Sequence, residues 1–338
     1  MPTKEEDVFS SSFLSRVTRK ADLLGRLKDL HAKLENLSQD PEERPKGLGQ
    51  IAAHLISPRL LGHGDKEVRL LSACCIVDVL RVYAPEAPYS DVELCRVFDV
   101  INTQLRGLAT NDTSSAIGSK IFYILQSLAT VKSCVVLVVL SQTGVEGADE
   151  LLRQLFEALI SSIRPEHTDD VGNHMVTILQ ACIEESESRF EQDLLDVILQ
   201  PLLPSSKAEN LAAYKLCQAV LRRTTAIMQG PISGFVNHVL VGTATSTAES
   251  GSDLSDQIYP LVFELHKISP DLLLRVLPNI CVQLQAEEED VRLKAVKLLG
   301  RLFASQQAEY GTEFSRNFRD FLKKQLLQKL RRCSGHDN

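Results

Sequence analysis

An all-α solenoid of stacked antiparallel helix pairs is the fold this sequence predicts, and three observations predict it. Apolar residues recur with a helical stride through nearly every segment. Turn-forming clusters break that stride about every 15 to 25 residues. One short motif appears twice, near Asp65 and again near Glu288.

In chain order, the first long helix carries Arg16, Arg19, Lys20, Arg26, Lys28 and Lys33. The turn Gly62-His63-Gly64-Asp65 precedes Val68 to Val82, where only Arg69, Ser72, Asp78 and Arg81 are strongly polar. A helix apolar on almost every side must be covered on most of them. Cys134 to Leu140 suits either a short strand or a buried helix. Leu152, Phe156, Leu159 and Ile163 step by one helical turn at a time, as do Leu273, Leu277, Ile280 and Leu284. Val291, Ala295, Leu298 and Leu302 repeat the stride, with Lys294, Lys297 and Arg301 on the polar side. Gly230-Pro231 reads as a break, and Ser269-Pro270-Asp271 as a helix start with a capping hydroxyl, a first-turn proline and an acid. Phe314, Phe318, Phe321, Leu322, Leu326 and Leu330 make the last helix amphipathic, with Arg316, Arg319, Lys323, Lys324, Lys329, Arg331 and Arg332 along it.

Composition narrows the function. With 338 residues, 44% hydrophobic and 24% charged, the chain buries a sizeable core and stays soluble. No Trp and 5% aromatics mean that the core is aliphatic. A net charge of −7 argues against a nucleic-acid coat held by bulk charge. The eight cysteines are irregularly spaced and include no C-x-x-C pair, so buried reduced thiols are expected rather than disulfides or a zinc ribbon. No signal-peptide core and no bilayer-length apolar run is present, which predicts a cytosolic or nuclear protein without a membrane partner.

The duplicated motif sharpens the fold. Asp65-Lys66-Glu67-Val68-Arg69-Leu70, followed by Ala73, parallels Glu288-Glu289-Asp290-Val291-Arg292-Leu293, followed by Ala295. The second copy follows Leu277-Pro278 in an apolar helix. An apolar helix bent by a proline, an acidic turn, then Val-Arg and a small residue look like a HEAT repeat. The acid opens the second helix at its positive end, and the Arg is expected to reach an acid or a carbonyl of a neighbouring repeat. Such pairs bury their apolar faces only by stacking. The expected division is a helical cap at 1–44, a repeat array at 45–310, and a partial last repeat with a basic tail at 311–338.

Val68 to Tyr89 reads VRLLSACCIVDVLRVYAPEAPY, and Leu272 to Phe303 contains LLLRVLPNICVQL and EEDVRLKAVKLLGRLF. With Ile121 to Leu125, Val131-Lys132-Ser133, Asp193 to Asp196 and Leu221 to Thr224, these segments resemble the precocious-dissociation-of-sisters family of cohesin-associated regulators of sister-chromatid cohesion. The resemblance spans residues 15 to 322 and implies the amino-terminal part of a longer, hook-shaped HEAT solenoid in the nucleus. It implies a non-enzymatic scaffold that binds cohesin subunits, and through them chromatin indirectly. It also implies docking of short Tyr-Ser-Arg-type motifs from the cohesin-release factor, its antagonist sororin and the kinase haspin. By position, the docking residues are Ala84, Pro85, Glu86, Ala87, Pro88 and Tyr89, with Glu86 where the family often has Asp. The carboxy end departs from the family after Leu322, as a truncated chain, a splice product or a short form would.

Read without the resemblance, residues 84–89 form either a stiff extended corner that offers a carboxylate and flat Pro and Tyr faces, or a plain interhelical turn with Tyr89 packed locally. The basic stretches of the first and last helices suit a DNA contact or the solvated faces of end helices; the resemblance also allows an inositol polyphosphate there. His167, Asp169, Asp170 and His174 make the best metal-like cluster, in a polar loop where solvation explains them. No nucleotide-binding, zincin or nucleophile-elbow motif occurs, so no catalytic site, resident cofactor or metal is expected. The alternatives are another HEAT adaptor, for nuclear transport or a phosphatase, and, from a different class, a helical hydrolase or metal enzyme.

Overall fold

The computed structural model describes residues 8–304 except 11, 16, 18, 187–189, 245–252, 274, 285 and 287, together with Lys323. Every regular element among them is a helix: α1 (Ser12–Ser15), α2 (Lys20–Glu35), α3 (Leu48–Leu55), α4 (Pro58–Leu61), α5 (Lys66–Tyr83), α6 (Asp91–Leu105), α7 (Gly118–Val131), α8 (Val135–Gln142) and α9 (Ala148–Ser162). There follow α10 (Asp169–Ser186), α11 (Gln192–Leu199), α12 (Pro204–Glu209), α13 (Leu211–Arg223), α14 (Thr225–Ala244), α15 (Asp253–Asp256), α16 (Ile258–Ile268), α17 (Leu277–Gln283) and α18 (Glu289–Ala304). Cys134 to Leu140 thus resolves as a helix, with Leu137, Val138 and Leu140 buried.

The chain divides into two compact units, Met1–Arg189 with Asn210–Val220, and Phe190–Glu209 with Leu221–Asn338. In the first, α2, α5, α7 and α10 pack side by side as one layer, α6 packs against α5 and α7, and α9 packs on α6 and α8. Helix α5 lies between α2 and α7 and also meets α3, α4 and α6, which is why thirteen of its eighteen residues are buried. Its apolar circumference is therefore the direct consequence of a central position. Phe98, Ile101 and Phe156 fill the space between α6 and α9, Leu27, Leu30 and Leu34 that between α2 and α5. Asn210 caps α13, its Oδ1 accepting from the N–H groups of Ala212 and Ala213 at 3.1 Å while its Nδ2 donates to the Ile163 carbonyl.

In the second unit, α14 packs on α11, α16 and α17, and α16 and α17 both pack on α18. Three expectations fail here. Gly230-Pro231 does not break the chain, because α14 runs through Pro231. Burial of Met228, Ile232, Phe235 and Val236 outweighs the one backbone donor the proline removes. Pro270–Leu273 forms a 3-10 turn, so Leu273 sits outside the helix expected to hold it. Pro278 stands in the first turn of α17 and starts that helix rather than bending it.

The duplicated motif is structurally equivalent in one detail. Arg69 Nη1 donates back six residues to the carbonyl of His63, and Arg292 Nη1 back six residues to that of Ala286, at 2.7 Å in the second case. Each Arg ties its helix to its own preceding turn. Asp65 opens α5 by accepting from the N–H groups of Glu67 and Val68 at 2.9 and 3.3 Å.

No single helix among the described residues is long and apolar enough to cross a membrane. The bent pair α7 and α8, meeting at 66°, passes by length and composition alone.

Candidate functional site

Helix α5 ends because Ala84 turns extended, with φ −51° and ψ 140°, as expected of a residue before proline. Its N–H still closes on the Arg81 carbonyl at 3.3 Å. The Ala84–Pro85 peptide is cis. Pro85 and Glu86 are exposed, Ala87 and Pro88 half-buried, and Ser90 starts α6. There Glu93 Oε2 accepts from Ser90 N–H at 2.9 Å and from Ser90 Oγ at 2.8 Å, which holds the Glu93 carboxyl below its usual range.

Both ends of the corner are anchored. The Arg81 guanidinium donates to three carbonyls at the end of α2, those of Leu34, Glu35 and Leu37, at 2.8, 3.1 and 2.9 Å. The Arg44 guanidinium lies over the Tyr83 ring, 4.6 Å from its centre. What remains free is Glu86, an exposed carboxylate with no hydrogen bond or ion pair among the described residues. It stands on a loop whose backbone two prolines restrict.

Tyr89 is packed locally, the second of the two readings open to it. It is 8% exposed, burial pushes its phenol up, and its hydroxyl meets no hydrogen-bond partner. The ring is turned inward by packing, so it supports the corner from beneath. The surface of the six candidate residues is made by Pro85, Glu86, Ala87 and Pro88, with Ala84 at the hinge.

The other constellations find structural employment. His167 Nδ1 accepts from the Arg164 N–H at 3.2 Å and its Nε2 donates to the Leu108 carbonyl at 3.1 Å, which occupies both ring nitrogens. His174 packs at a tilt on Phe122, and no group of three His, Cys, Asp or Glu among the described residues is placed to hold a metal. On α2, Lys20 pairs with Asp65, Lys28 with Glu67 at 3.3 Å, and Arg26 donates to the Phe13 carbonyl at 2.5 Å. These cations tie the first long helix to its neighbours; the basic stretch from Arg316 to Arg332, Lys323 apart, lies outside the described residues.

Sequence reasoning missed the support beneath the corner. Arg81 and Asp78 were visible as polar interruptions of an apolar helix, but their partners on α2 and α7 were not.

The family model for the sister chromatid cohesion protein PDS5 matches residues 21–329. The chain belongs to the PDS5 family. It is 37% identical over 295 residues to PDS5 homolog B-A of Xenopus laevis, covering 87% of this chain and 20% of the relative. The human PDS5 homolog B gives the same identity and coverage. PDS5 homolog A of Gallus gallus is 37% identical over 293 residues, 86% of this chain and 21% of the relative. The chain thus spans about one fifth of the length of these PDS5 proteins. The solved structure of a Pds5–Scc1 complex superposes with a TM-score of 0.74 at 25% identity, over 93% of this chain and 47% of that one. The all-α HEAT-type solenoid expected from the sequence is therefore the fold of the family.

Proposed function

We propose that this chain is the peptide-docking part of a nuclear, non-enzymatic scaffold that regulates sister-chromatid cohesion by binding cohesin. Membership of the PDS5 family supports the cohesion role, and the likeness to Pds5 in complex with Scc1 supports binding to a cohesin subunit.

One observation carries the finer reading. Glu86 is an unpaired, exposed carboxylate on a corner that is already fixed by Arg81 below and by the Ser90–Glu93 cap beyond. A corner that is ordered before binding loses little entropy when a peptide lies along it. An Arg side chain of a Tyr-Ser-Arg-type motif, supplied by the release factor or its antagonists, meets in Glu86 an acceptor for a two-point hydrogen bond. Pro85 and Pro88 give the flat apolar contact beside it.

The cohesion role is tested by depleting the protein from dividing cells and re-expressing wild type or Glu86→Lys. Wild type restores paired sister chromatids in metaphase spreads, and Glu86→Lys does not. Full rescue by Glu86→Lys would remove the corner from the function, and no effect of depletion would remove the cohesion role itself.

A further inference from the structure

The opposite end of α5 carries a second feature, about 27 Å from the corner at the usual helical rise. There a cleft of about 490 Å³ opens between the start of α5, the end of α6, the 3-10 turn Arg106–Ala109 and the start of α7. Three cations line it, Lys66, Arg69 and Lys120. Its one acid, Glu67, is paired with Lys28 at 3.3 Å, and Asp65 just outside is paired with Lys20. Lys66 meets no acid among the described residues, while Lys120 Nζ donates to the Ala116 carbonyl at 3.0 Å and Arg69 to that of His63.

Two further properties separate this cleft from an ordinary solvated lysine face. The chain as a whole carries −7, so three cations about one cleft are a local reversal of sign. The rim also holds Ile117, a large aliphatic side chain left 51% exposed, above a floor that includes buried Leu70 and Ile121. Beside the wall, Gly118 packs so closely on the Asp112 carbonyl that a Cβ would lie 1.9 Å from its oxygen. Asn111 Nδ2 fixes the turn from the other side by donating to the Gly107 carbonyl at 2.7 Å. Cations beside an exposed aliphatic residue on a closely packed wall match a peptide that carries acids next to one apolar side chain.

We infer that this cleft docks an acidic segment of a protein partner, with an aliphatic residue seated against Ile117 and carboxylates facing Lys66, Arg69 and Lys120. The site is independent of residues 84–89 and stands whether or not they bind a peptide. A partner bearing both an Arg-containing and an acidic segment gains avidity by spanning α5.

The test is a fluorescence-anisotropy titration of a fluorescein-labelled peptide in which Glu residues flank a single Leu. The titrated proteins are the whole chain, Lys66→Glu/Lys120→Glu, and Lys215→Glu, which reverses a cation elsewhere on the same unit. The double variant is expected to bind about tenfold more weakly or not at all, with wild-type affinity kept by Lys215→Glu. Should the double variant unfold, Ile117→Ser is the second variant, and it weakens binding as does replacing the peptide's Leu by Ser. Equal loss in Lys215→Glu, no saturable binding to folded wild type, or indifference to the Leu would overturn the inference. Displacement of the peptide by inorganic phosphate, or preference for duplex DNA, would overturn it too, by making the cleft a plain anion or nucleic-acid contact.

Discussion

The Asp78 carboxylate, wholly buried on α5, accepts from His31 Nδ1 on α2 at 2.7 Å. Its other oxygen accepts from the Tyr123 hydroxyl on α7, and the His31 and Tyr123 rings meet edge to face with centres 4.8 Å apart. Three adjacent helices of one layer are thus joined through a single carboxylate. Truncation strands two half-buried donors, so Asp78→Ala is expected to cost about 2 kcal/mol. Asp78→Asn keeps an acceptor for Tyr123 and costs less. Urea midpoints of the two variants give the comparison, and equal midpoints would mean that the carboxylate is not the joint.

Tyr89→Phe is expected to leave the midpoint unchanged or raise it slightly, since the hydroxyl it removes is buried without a partner. Tyr89→Ala instead opens a cavity beneath the corner and lowers the midpoint by about 3 kcal/mol equivalent. A marked loss in Tyr89→Phe would reveal a hydrogen bond that the packing does not provide.

Gly118→Ala places a methyl 1.9 Å from the Asp112 carbonyl oxygen, a backbone atom that cannot step aside, whereas a Cβ at Gly64 meets nothing within 4 Å. The first substitution is expected to cost about 1–3 kcal/mol and the second to be neutral. Thermal melts of the pair decide it, and similar melting of both would contradict the close approach.

His266, 4% exposed on α16, is held down to about 4 by burial from an ordinary value of 6.5. Between those values the unfolded chain binds a proton that the folded chain does not. Stability of the second unit is therefore expected to fall as pH drops from about 6.5 toward 4. His266→Leu flattens that part of the curve, as read from urea midpoints at stepped pH. An unchanged slope would assign the dependence to other groups.

The legible and illegible parts of this molecule separate by sequence distance. Most of the helical stride, the Asp65 cap and the corner at Ala84–Pro88 are written in residues a few positions apart, and the structure places them where the sequence does. The bonds that join repeats are not written so. His31–Asp78, Asp78–Tyr123 and Arg81–Leu37 link residues 47, 45 and 44 positions apart, close to the length of one helix pair. Only stacking brings them together. The reading also failed where burial outweighs local chemistry, as at Pro231 inside α14. Glu86 was legible as a candidate because two prolines flank it; the Arg81 anchor that fixes its corner was not.

The most direct test of the account is titration of a labelled Tyr-Ser-Arg peptide into wild type, Glu86→Lys and Tyr89→Phe, with helicity checked by circular dichroism. The account predicts saturable binding to wild type and Tyr89→Phe, and loss of about tenfold or more in folded Glu86→Lys. Equal binding by Glu86→Lys, or none by folded wild type, would contradict it.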